Sequence, residues 1–85
     1  MLGGRLMTAA TPHTARVVLD IVAGGEAGYA TGYDRALCRV IFQADQVHRG
    51  KLRGVYPEMV DAVEQYEREG AEATRALAGS DRPPG

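Results

Sequence analysis

From Met59 to Leu77 apolar or small residues recur in steps of four and three, through Val63, Tyr66, Gly70 and Ala73. That spacing keeps one face of an α-helix for about five turns. Asp61, Glu64, Arg68, Glu72 and Arg75 occupy the other face, so the helix is amphipathic and its apolar stripe needs a cover. Pro57 fits the first helical position, where its missing N–H costs nothing, and the spacing predicts a helix over residues 57–78. The stripe becomes small toward its end. Gly70 therefore predicts either a kink or the close crossing of another helix, with the fall in side-chain size pointing to the crossing.

Two further segments carry helical patterns. Thr11-Pro12 is a start signature, a hydroxyl to cap free N–H groups followed by proline. Ala15, Val17, Val18, Leu19, Ile21 and Val22 then cover most of the circumference, with His13, Arg16 and Asp20 as a narrow polar strip. This short apolar helix spans about residues 12–23, and Gly24 and Gly25 end it. Thr31-Gly-Tyr-Asp34 resembles a capping box with aspartate in place of Glu or Gln, opening a helix over about 32–49; an earlier start near Glu26 is weakened by Gly28 and Gly32. Tyr33, Leu37, Val40, Ala44 and Val47 fall on one face of it and read as the core stripe. Gly50 to Gly54 reads as a short basic turn. The expected class is all-α, a three-helix arrangement built on an antiparallel hairpin of 32–49 and 57–78, with helix 12–23 laid against the pair or against a second subunit. The chain reads as one domain over residues 1–85 with flexible ends at 1–8 and 80–85, and Met7 could serve as a start in place of Met1.

At 85 residues the chain buries a small fraction of its surface and calls for extra stabilisation. Cys38 is the single cysteine, which excludes an internal disulfide, and no Cys/His cluster suggests zinc. Self-association is the remaining common device, so a homodimer or higher homo-oligomer is expected. No apolar run approaches a membrane span and no secretory pattern is seen, which predicts a cytoplasmic protein with no membrane partner. Lys51 is the only lysine among ten basic residues, a composition that hints at a GC-rich bacterial or phage genome.

The net charge of −1 hides a segregation. Arg35, Arg39, Arg49, Lys51 and Arg53 face a single acid, Asp45, in the middle of the chain. Glu58, Asp61, Glu64, Glu67, Glu69 and Glu72 then stand against Arg68. The simple account is that the two segments are neighbours and neutralise each other.

Projected around the helix, Arg35, Arg39, Phe42, Gln46 and Arg49 share a second surface on helix 32–49. An aromatic ring among guanidiniums suits a partner-binding surface, because it joins apolar area to directed hydrogen bonds. The alternative is that Phe42 and Cys38 face helix one or a second subunit, with arginine stems packed around them. Asp45 and His48 have the spacing of a carboxylate–histidine metal pair, but the set is too small and no metal site is expected. Nothing beside Cys38 makes it a nucleophile, and Gly24-Gly25-Glu26-Ala27-Gly28 lacks the strand and lysine of a phosphate loop. Neither catalytic residues nor a cofactor are expected. The small helical-hairpin substrates of type VII secretion are not matched, since the chain has no tryptophan for their Trp-x-Gly turn and Gly70 stands where their Tyr-x-x-x-acid signal needs a carboxylate.

These readings lead to a small non-catalytic, self-associating protein-interaction module, an adaptor or regulator of a larger bacterial or phage protein that remains to be identified. The competing expectation is a nucleic-acid partner, with the arginine face of helix two reading DNA. Against it stand the long joint from Gly24 to Thr31, unlike a helix-turn-helix, and the acidity of the last helix.

Overall fold

Thr11 and Thr14 begin the first helix by capping each other. The Thr14 amide donates to Thr11 Oγ1 at 3.1 Å and the Thr11 amide to Thr14 Oγ1 at 2.9 Å. In the computed structural model, which describes residues 8–25 and 28–79, this opens α1, Pro12–Val22, with proline in the first turn. Gly24 and Gly25, at φ +92° and +76°, close it. Their amides donate back to Ile21 O at 3.0 Å and Asp20 O at 2.7 Å, the paired bonds of a Schellman turn. Buried Asp20 then accepts the Ala30 amide on Oδ2 at 2.9 Å, tying the returning chain to α1. Residues 1–7 and 80–85 of the expected flexible ends lie outside the described residues, as do Met1, Met7 and Glu26.

The second helix, α2, spans Gly32–Gln43 and starts on the predicted capping box, with Thr31 and Asp34 bonded reciprocally. Here the structure departs from a single helix over 32–49. Ala44 and Asp45 take extended ψ values of 142° and −179°. A new helix, α3, then runs Gln46–Val55 through the segment read as a turn. Two residues cause the break. Asp45 caps α3, its Oδ1 accepting the His48 amide at 2.8 Å. Arg49 donates from Nε to Ile41 O at 3.0 Å and from Nη2 to Phe42 O at 3.4 Å, carbonyls that a continuous helix would bond to the amides of residues 45 and 46.

Tyr56 leads into α4, Pro57–Ala78. Gly70 interrupts it at φ +90°, ψ −179°, a conformation open essentially to glycine alone. Apart from the adjacent backbone of α4 itself, no described atom lies within 4 Å of where a Cβ would sit. The kink is therefore present and the close crossing is not. It shifts the buried face: Met59 and Val63 are buried before it as the stripe predicts, but Thr74 and Ala78 are buried after it while Ala73 and Leu77 are half-exposed.

Among the described residues the fold is all-helical, with α4 packed against the other three helices. Val17 and Val18 of α1, Cys38 and Ile41 of α2, and Met59, Val60, Ala62 and Val63 of α4 form the core. Arg16 links α1 to the segment beyond the kink by donating to Ala78 O at 2.7 Å.

Candidate functional site

The five residues proposed as one binding surface are not presented together. Arg49 is only 7% exposed, its guanidinium joined to the end of α2 as described and, in a fork, to Glu67 Oε1 and Oε2 at 2.6 and 3.0 Å. Glu64 Oε2 is 3.5 Å away. The hydrogen bond that Arg49 donates to Glu67 holds the Arg49 pKa above its ordinary value, against the opposing effect of burial. Phe42 packs on the core and meets Tyr66 edge-on, with ring centroids 6.3 Å apart. Arg35 is half-buried and reaches Gly25 O at 3.2 Å. Of the set, Arg39 and Gln46 remain exposed. Phe42 and Cys38 thus point inward, with Arg49 packed at the end of α2.

The segregated charges meet across α3 and α4. Arg53 pairs with Asp61, Nε to Oδ1 at 3.2 Å, and with Glu64. Asp61, Glu64 and Glu67 lie three residues apart on one side of α4, opposite Arg49 and Arg53 one turn apart on α3. Neutralisation between the two segments is partial: Arg49 and Arg53 are paired with Asp61, Glu64 and Glu67, whereas Arg35, Arg39 and Lys51 have no partner on α4 among the described residues. Gly50 and Gly54 make α3 intrinsically weak, so these bridges anchor a helix that propensity would not hold.

Turning Phe42 and Arg49 inward turns the other stripe outward. Val40 is 50% exposed, Val47 67%, Val55 68% and Tyr33 61%. Val40, Gln43, Ala44, His48, Lys51 and Leu52 line a shallow groove in the angle between α2 and α3. A second hollow lies where Tyr33, Leu37, Val55 and Tyr56 meet His13, Asp34 and Glu58. Exposed apolar residues gathered along one edge are the usual mark of a contact surface. Of the stripe read as core, Tyr33, Val40 and Val47 are exposed, Ala44 is half-buried, and Leu37 packs against the core.

Other chemistries find no constellation. Burial, and then the nearby Asp34 carboxylate, push the Cys38 thiol up to about 11, leaving it protonated and inert. Asp45 and His48 form a helix cap, Oδ1 to Nδ1 at 2.8 Å, and the bond from the His48 amide holds Asp45 below the usual carboxylate range. The described residues include no cluster of His, Cys, Asp and Glu fit to hold a metal ion. The Tyr33 hydroxyl donates to that of Tyr56 at 2.7 Å, which raises the Tyr33 pKa. No described helix is long and apolar enough to cross a membrane. No protein-family model, curated protein or solved structure matches the chain.

Proposed function

We propose that this chain is a non-catalytic helical protein-interaction module, an adaptor or regulator of a larger bacterial or phage protein, acting in the cytoplasm. Its contact surface is the outer face of α2 and α3. The observation that carries the reading is the exposure of Val40, Val47 and Val55 beside a core that α1, α2 and α4 already complete. Self-association is expected from the small size of the chain and the absence of a disulfide or zinc cluster; the apolar breadth of α1 adds little to it, because Ala15, Val17 and Val18 are covered within the chain. The face of α2 and α3 carries most of the exposed large apolar side chains, Tyr33, Val40, Val47 and Val55. DNA binding is less well supported, because Arg49 and Arg53 are neutralised by α4 and the arginine face is divided.

The test is photocrosslinking in the native cell, with the reactive residue placed at Val47 or, as a control, at exposed Glu72 on α4. A discrete product at Val47 that is absent at Glu72 is expected. Equal products at both positions, or none at Val47, would remove the reading.

A further inference from the structure

We infer that the α2–α3 groove receives an amphipathic helix of another protein, one whose apolar stripe is flanked by carboxylates. This rests on the interaction-module reading and names its partner class. Val40, Ala44 and Leu52 give the groove an apolar lining, with His48 and Lys51 beside them, the arrangement that takes the apolar face of a helix. Basic side chains outnumber acidic ones along α2 and α3. Asp45 is the only acid between Arg35 and Pro57, and it is committed to capping α3. Arg49 and Arg53 are consumed by α4. Lys51 lines the groove, and Arg39 stands one turn before Gln43 on the outer side of α2; neither has a carboxylate partner among the described residues.

A second copy is a poor occupant. The broad apolar faces of α1 and α4 are largely buried in the core, so the α2–α3 face, with Tyr33, Val40, Val47 and Val55, is the main apolar surface a copy could offer. Docking that face on itself would set Arg39 and Lys51 against like charges, which opposes association. Neither residues 1–7 nor residues 80–85 carry the pattern of such a helix. Residues 1–7 contain Arg5 and no carboxylate, and residues 80–85, Ser-Asp-Arg-Pro-Pro-Gly, carry no apolar stripe.

The experiment uses two helix-stapled peptides with the same leucine stripe, one flanked by glutamate and one by lysine, titrated into the full chain by fluorescence anisotropy and amide-resolved NMR. The glutamate peptide is expected to bind about tenfold or more tighter than the lysine peptide, with affinity falling as salt rises. Its shifts should centre on Val40, Ala44, Val47 and Leu52. The double variant Arg39→Glu, Lys51→Glu, with its circular dichroism unchanged, should reverse the order of the two peptides. Equal affinities, shifts centred elsewhere, or concentration-dependent dimerisation that protects Val47 would overturn the inference. If crosslinking at Val47 captures a partner while the glutamate peptide shows no preference, the acidic-helix inference falls and the interaction reading stands. If Val47 captures nothing, both fall.

Discussion

Removing the Arg49 side chain should damage the fold more than removing any other cation of the basic segment. The guanidinium bonds two carbonyls at the end of α2 and grips Glu67 of α4 in a fork, so one side chain joins three helices. Truncating one partner of a fully buried ion pair costs about 3–5 kcal/mol. Here the Glu64 and Glu67 side chains are 23% and 38% exposed, so water partly solvates the carboxylates left behind. Hydrogen bonds to charged groups contribute about 1.5–3 kcal/mol, and together these bounds place Arg49→Ala at about 2–3 kcal/mol. For a domain of this size that lowers Tm by about 10–20 °C. Arg49→Lys should be intermediate, because a point charge cannot reproduce the fork. Urea denaturation followed by circular dichroism gives the cost, and a double-mutant cycle with Glu67→Gln should show coupling of about 1 kcal/mol or more. A cost below about 0.5 kcal/mol, typical of a surface substitution, with no coupling to Glu67, would refute the reasoning.

Gly70→Ala should destabilise by about 1–3 kcal/mol, because its φ and ψ are open essentially to glycine alone; a measured stabilisation would mean that α4 is straight. Gly50 and Gly54 have open space at their Cβ positions and no positive φ. Each mutation to alanine should therefore stabilise by up to about 1 kcal/mol, and a loss in both would contradict a helix over Gln46–Val55. Cys38 should resist alkylation in the native chain and react on unfolding, while fast native modification would contradict its burial. Its thiol pKa is raised above the unfolded value, so the associated stability is complete below about pH 9 and is lost as pH rises through about 11; flat stability across that interval would count against it.

The helix starts were legible because they are local: Thr11-Pro12, Thr31 with Asp34, and Pro57 each carry their own capping chemistry. The phase of helix two was harder to read, since its two faces are both plausible core by period alone. Tyr33, Leu37, Val40, Ala44 and Val47 form the more apolar stripe, yet Cys38 and Ile41 are buried with Phe42 partly covered. What settles the phase is long-range. Carboxylates at Asp61, Glu64 and Glu67 need cations opposite them, and Arg49 and Arg53 reach them once α3 turns away from α2. The break had a usable signal in Asp45, three residues before His48, which is cap spacing as well as metal-pair spacing. Arg49 in the role of α2 cap had none, because its carbonyl acceptors become visible only when the helix has already broken. The kink at Gly70 was one of two readings of a glycine in an apolar stripe, and only its backbone conformation separates it from a close crossing.

Reactivity of introduced cysteines tests most directly which face of α2–α3 looks outward. With inert Cys38 left in place as the slow internal reference, Val40→Cys, Val47→Cys and Phe42→Cys are labelled in the dilute native chain by a thiol reagent. The account predicts rates near that of a free peptide thiol at positions 40 and 47 and marked protection at 42. Protection at 40 and 47 with fast labelling at 42 would restore the inward stripe and the arginine face, and would contradict the surface on which the proposed function stands.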